Sequence, residues 1–265
     1  MSLVQNGKDM SCVIVMLEGG MGSQMFGYAH GRALSLKYDS DLILDPTHTI
    51  VGQRIPRDYS LGVFNIAAKL IQPDMKVHNP LIISDNAWMG LDCFKDYESI
   101  IRKDFTFTRK AKKQLYAKTG YMFVEAVKQC NSVSIGVRRG DFAYDPTSME
   151  YHGVIPLDYY HESINYIADR VDKPVFFLFS DDIEWVKENL QPDHPYFYVS
   201  GGDLNFQEEW LINSYCKHHI ISNSTFYWWS AWHRPYLETI VCASKHWHNK
   251  YKPRSDFFPK GWVLL

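Results

Sequence analysis

The feature that most constrains this chain is an alternation of short apolar runs with helical patterns, each pair joined by a glycine-containing or polar turn. Residues 12–17 form an apolar, β-branched run of the kind buried in a parallel sheet. The turn Glu18-Gly19-Gly20-Met21-Gly22-Ser23 follows, and then a helix with Met25, Tyr28, Ala29, Ala33 and Leu36 on one face. Residues 42–44 read as a second strand. A second series starts near Asn131, with strands expected at 133–137, 175–179, 196–199, 219–222 and 239–242. Helices are expected between them at 157–171, 183–190, 206–216 and 226–232. Residues 46–76 read as loop with short helical pieces, and a basic helix is expected near 110–118. Strands separated by helices pair in parallel, with helices covering both sheet faces. The two series part near residue 130. The chain is therefore expected to be α/β, with two Rossmann-like halves, 1–130 and 131–265, facing a cleft.

Charge and composition exclude several classes. With 28 basic and 30 acidic residues the formal charge is −2, so the basic excess of a general nucleic-acid binder is missing. No run of about 18 apolar residues is present to form a transmembrane segment. Residues 1–11 are polar and lack the apolar stretch of a signal peptide. The five cysteines are scattered, odd in number and without a CxxC pair, so they read as buried thiols in a reducing compartment. A cytoplasmic protein is expected.

Four segments could carry chemistry. Gly19-Gly20-Met21-Gly22-Ser23-Gln24 lies between a strand and a helix, where backbone amides at a helix N-terminus favour an anionic or polar ligand group. It is neither a P-loop, since no Gly-Lys-Ser/Thr follows, nor a dinucleotide fingerprint, since the sixth position of the frame from Gly20 is Met25. A tight turn would explain the same glycines. Arg138-Arg139-Gly140-Asp141 comes straight off a strand, at the sheet edge where α/β proteins bind ligands. A guanidinium fork suits a pyrophosphate, and adjacent side chains point apart, so one arginine is expected on phosphate and the other on an acid. Phe179-Ser180-Asp181-Asp182 ends the next strand. One aspartate is expected to cap the following helix, leaving the other for a guanine edge or a ribose. Ser222-Asn223-Ser224-Thr225 delivers hydroxyl and amide groups to a further helix start, another ready anion site.

Metal ligands are poorly supported. Asp39-Ser40-Asp41 matches an Asp-x-Asp pattern but sits in a helix-to-strand turn, away from the ligand edge. His218-His219 and His246-Trp247-His248 lack a third ligand at suitable spacing.

In order along the chain, these segments resemble the bacterial α-1,2-fucosyltransferases of glycosyltransferase family 11. Gly19 through Leu34 is similar to the family's opening motif, and Gly136-Val137-Arg138-Arg139-Gly140-Asp141 to its His-x-Arg-Arg-Gly-Asp element. Phe179 through Val186 and Ile221 through Trp229 resemble its two later motifs. Gly136 stands where the element has His, Ser23 where Asn is usual, and Gly27 where Gln is usual.

The resemblance implies a GT-B architecture, with an acceptor-side N-terminal half and a GDP-sugar-binding C-terminal half. It implies inverting transfer of fucose from GDP-fucose to the 2-hydroxyl of an oligosaccharide or glycolipid acceptor, with no metal and no other cofactor. Arg138 would then neutralise the β-phosphate of departing GDP, with Ser224 and Thr225 on the same phosphate and Asp181 or Asp182 on guanine. Gly20, Gly22, Gln24, Arg139 and Asn223 complete the expected donor site. Asp141 or Asp145 is expected to take the acceptor's proton. A peripheral position at the inner face of the membrane is part of the same expectation. The alternatives are an inverting transferase for another nucleotide sugar, or a silent paralogue that binds a sugar nucleotide without turning it over.

Overall fold

A computed structural model describes residues 12–51, 53–77, 79–83, 89–234 and 236–265; the polar opening, 1–11, lies outside the described residues. The chain divides into two compact units, Met1–Thr108 and Arg109–Leu265. The division falls earlier than the expected residue 130. Helices over Arg109–Tyr116 and Gly120–Gln129 belong to the second unit, because the apolar face of the latter (Val124, Val127) packs inward against the following strand and a later helix.

In the first unit, β1 (Cys12–Met16) leads into α1 (Met21–Lys37), β2 (Asp41–Asp45), β3 (Lys69–Leu70) and β4 (Leu81–Ile83). The sheet is wholly parallel, in the order β3-β2-β1-β4. The strand order thus reverses between β1 and β4. Helix α1 lies very close to β1, because a Cβ at Gly31 would stand 2.3 Å from Val15 Cγ2 and one at Gly27 would stand 3.2 Å from Val15 Cγ1. Close approach of backbone to sheet therefore accounts for glycine at both places. Asp41 opens β2 at its amino end and pairs with Lys69 at 2.6 Å.

The second unit starts with α2 (Arg109–Tyr116) and α3 (Gly120–Gln129). It continues through β5 (Asn131–Val137), α4 (Gly140–Tyr144), α5 (Pro146–His152), α6 (Leu157–Ala168), β6 (Pro174–Ser180), α7 (Ile183–Asn189), β7 (Tyr196–Tyr198), α8 (Phe206–Tyr215), β8 (His218–Ile221), α9 (Thr225–His233), β9 (Val241–Ala243) and β10 (Val263–Leu264). Its sheet is also parallel, in the order β10-β9-β8-β5-β6-β7. The central strands β5, β6 and β8 are buried almost throughout, and Val133, Ile135, Val137, Phe176, Leu178 and Ile220 form the middle of the core.

The second unit also holds elements that the sequence reading did not place: two short helices after the arginines, and β10 at the sheet edge. Asp145, which caps α5, and Pro146 at its first position explain the former. The latter rests on two residues only, too few to show a strand period.

No disulfide joins any two of the five cysteines. Among the described residues no helix is long and apolar enough to cross a membrane.

Candidate active site

In the second unit the chain order of the strands reverses between β5 and β8, so the crevice at their carboxyl ends is the topological switch point where open α/β sheets bind ligands. Register brings three turns to one level there. Val137 is opposite Ser180 and Gly136 opposite Ile221, so Arg138, Asp181 and Ser222 leave the sheet side by side.

Both arginines are paired. Arg138 donates from its two terminal nitrogens to Asp181 Oδ2 and Asp141 Oδ1. Arg139 donates from Nε to Asp182 Oδ2 at 3.1 Å, and its backbone amide donates to Asp181 Oδ1 at 2.8 Å. The Arg139 guanidinium also stacks 3.7 Å above the Trp185 ring centroid. Arg139 is therefore held by an acid and an aromatic face. Arg138 is the more accessible, with 23% of its side chain exposed against 14% for Arg139. Gly140 permits this arrangement, because a Cβ there would stand 2.4 Å from Asp181 Oδ2.

The aspartates answer the capping question. Asp182 caps α7, accepting from the Trp185 amide at 3.4 Å, and also accepts from the Tyr144 hydroxyl at 2.6 Å. Burial works against its charge, but Tyr144, Arg139 and the Trp185 amide together hold its carboxyl below the usual range. Asp181, expected to remain available for a ligand, is instead engaged by both arginines. The physical reason is proximity, since β5 and β6 are adjacent and in register.

Ser224 precedes α9, which starts without a side-chain cap. Its first-turn amides and dipole therefore point into the switch-point crevice, with Ser224 and Thr225 at the mouth. Asn223 is 2% exposed and donates to the carbonyls of His152 and Gly153 at 3.0 and 3.1 Å. Rather than presenting its amide to a ligand, it ties the end of α5 to this turn. Asp145 Oδ1 accepts the Ser148 amide at 2.7 Å as the α5 cap, which leaves Asp141 as the expected base that stands beside Arg138.

The glycine turn belongs to the first unit. Gly20 caps α1 with open space where a Cβ would be, and Gly22 is buried in the first turn. Gln24, expected at the donor, is fully buried and has a different task. Its Nε2 donates to the carbonyls of Gly19 and Asp58 at 3.0 and 2.9 Å, and its Oε1 accepts from the Ser60 amide at 2.9 Å. It is a strut between the glycine turn and the loop at 58–60. Beside it an open recess enclosing about 320 Å³, solvent mouth included, lies at the carboxyl ends of β1 and β4 and is lined by Glu18, Ser23, Phe26, Gly27 and His30.

Among the described residues no group of three or more His, Cys, Asp or Glu is placed to hold a metal ion. His219 is a core residue, bonded through Nδ1 to Ser134 Oγ at 2.8 Å and pushed down to about 3 by burial.

Sequence reasoning missed Glu209. It accepts from Ser200 Oγ at 2.6 Å, and Ser200 Oγ in turn accepts from the Ser180 amide at 3.0 Å. Burial, with some help from the nearby Asp181 charge, pushes its carboxyl up to about 7. An acid in the first turn of a helix is ordinary, so nothing in the sequence separated it from Glu208. Because its acidity is weaker folded than unfolded, Glu209 favours the fold below about pH 4.5, and this contribution is lost as pH rises through about 7. Glu209→Gln is expected to gain stability at pH 8 relative to pH 5, compared with the parent, by at most about 3 kcal/mol. Urea unfolding at the two pH values checks this, and parallel pH profiles would contradict it.

Each unit is built on a parallel α/β sheet, and the second carries an arginine and an uncapped helix start at its switch point. The fold is that of a solved GT-B enzyme, NodZ alpha-1,6-fucosyltransferase from Bradyrhizobium co-crystallized with GDP. It superposes with a TM-score of 0.56 over 84% of this chain and 92% of that one, at 13% identity. Residues 4–265 match the profile of glycosyl transferase family 11, and the chain belongs to that family. Relatives include an alpha-1,2-colitosyltransferase of Escherichia coli, 30% identical over 97% of this chain and 99% of that protein. Another is the O-antigen biosynthesis glycosyltransferase WbnK of Escherichia coli, 27% identical over 94% and 99%.

Proposed function

We propose that the chain transfers fucose, with inversion, from GDP-β-L-fucose to the 2-hydroxyl of a terminal galactosyl unit on an oligosaccharide or glycolipid. The observation that carries the reading is Arg138 beside the uncapped start of α9 at the switch point. Departing GDP carries a growing negative charge on its β-phosphate. A fixed guanidinium, backbone amides, Ser224 and Thr225 stabilise that charge as it develops, which is the usual origin of large rate effects. On this reading the sugar-nucleotide site lies in 109–265, the acceptor is met by 1–108, and no divalent cation is required. Asp141, next to Arg138, takes the proton of the acceptor hydroxyl as the glycosidic bond forms.

Calorimetric titration with GDP, GDP-fucose, UDP and UDP-galactose in the presence of a chelator tests the donor class. Micromolar binding of the GDP species alone is expected; preference for UDP, or a need for metal, would overturn the reading. A second reading rests on the colitosyltransferase relative. Colitose is fucose without its 3-hydroxyl, so the same site chemistry could serve a 3-deoxy donor. Comparing turnover of GDP-fucose and GDP-colitose decides between them.

A further inference from the structure

Gly136 departs from the family element, and its surroundings show what replaces the missing side chain. It lies on β5 between Phe179 of β6 and Ile221 of β8, at the centre of the switch point. A Cβ at this position would stand 2.4, 2.5 and 2.7 Å from Cγ, Cδ1 and Cδ2 of Tyr227. The ring, not empty space, therefore fills the volume that a side chain at 136 would need, and any residue larger than glycine must displace it. Tyr227 is on the first turn of α9, is 5% exposed, and stands edge-on to Phe226 at 5.1 Å. Burial raises its phenol well above the usual range, and the groups that act on it by charge are Asp181, Glu209, Arg138 and Tyr160. Of these, Asp181 and Arg138 are the ion pair that faces the donor phosphate in the reading above, on which this inference rests.

We infer that Tyr227 is a positioning residue for the donor site, acting on Arg138 and on the start of α9. Its ring, admitted only by Gly136, is a wedge between the central strand and α9, and so sets how far the helix start projects over the crevice. The guanidinium is then held where charge develops on the leaving phosphate, rather than where the ground-state donor alone would place it. Gly136 and Tyr227 thus form a matched pair of sizes across strand and helix, and neither is replaceable by itself.

The test uses five proteins: the parent, Gly136→Ala, Tyr227→Ala, the double variant, and Tyr227→Phe. Each is assayed for kcat and donor KM and for thermal midpoint. Gly136→Ala is expected to lower kcat by at least thirtyfold. The same substitution made in Tyr227→Ala is expected to change kcat by less than threefold, because the clash is gone; contacting residues show such non-additivity. Tyr227→Phe keeps the wedge. It is expected to hold the parent's thermal midpoint, with donor KM and kcat within about threefold, since the ring alone fills the space at Gly136. A harmless Gly136→Ala, additive effects in the double variant, or a kcat in Tyr227→Phe as low as that of Gly136→Ala would each overturn the inference. All ratios are taken with whichever sugar nucleotide the parent turns over. A wrong donor therefore shows as lack of parental activity with GDP-fucose, and failure of the wedge shows as a wrong ratio.

Discussion

Arg138→Ala is expected to lower kcat by about a thousandfold while leaving the fold intact. Removing one preorganised charge aimed at a developing anion typically slows a reaction by about 10² to 10³. A full positive charge on a leaving diphosphate belongs at the upper end of that range. The loss should be mainly in kcat, because the first-turn amides of α9 still hold the ground-state phosphate. Stability should change little, since the Arg138 side chain is part-exposed and pairs of that kind contribute about 1 kcal/mol or less. Its carboxylate partners, Asp141 and Asp181, are also part-exposed and stay hydrated when the guanidinium is removed. Arg138→Lys should recover only part of the rate, because an ammonium cannot keep both carboxylates and a phosphate in one plane. Steady-state kinetics alongside circular dichroism decides the matter, and near-parental kcat in a folded Arg138→Ala protein would remove the phosphate role.

The largest effect on stability is expected from Trp228→Ala. The side chain is fully buried in the middle of α9. Its ring meets those of Trp229, Trp232, Phe257 and Trp262 at 4.9, 6.1, 5.8 and 5.6 Å. Its Nε1 donates to the Phe257 carbonyl at 3.0 Å. Truncation removes this packing, leaves a cavity and orphans a carbonyl, so a loss of about 3–5 kcal/mol is expected. For a chain of this size that corresponds to a fall in thermal midpoint of roughly 10 °C. The effect reaches function because the same helix presents Thr225 and its amides to the crevice. Differential scanning fluorimetry checks it, and a midpoint within 2–3 °C of the parent would mean that the aromatic cluster repacks without Trp228.

Much of the fold was legible because buried parallel strands are local signals. The run Phe176-Phe177-Leu178-Phe179 is apolar on both faces, and Val133-Ser134-Ile135-Gly136-Val137 puts Val133, Ile135 and Val137 on one face with small residues on the other, so each announces itself within its own few residues. The two helices that follow the arginines have five and seven residues, too few for a period to emerge in the sequence. The unit boundary was misplaced because a helix shows an apolar face in sequence but not the partner that covers it. At the site, residue types and order pointed to Arg138, Arg139, Asp181 and Asp182 together, and register did place them together. What sequence could not tell was which donor would meet which acceptor. Asp181 reads as a ligand-seeking carboxylate and is an ion-pair partner; Gln24 and Asn223 read as ligand amides and are backbone struts.

By itself the sequence determined the alternation of strands and helices, the parallel sheets and the four turns that carry polar chemistry. These depend on contacts close along the chain, on helix starts and on side-chain period. The tertiary structure alone decided that Gly136 is filled by Tyr227, that Glu209 lies near Asp181, and that both arginines are already paired. Each of those outcomes depends on groups 28 to 91 residues apart coming together, with their placement set by sheet register and helix approach rather than by residue type.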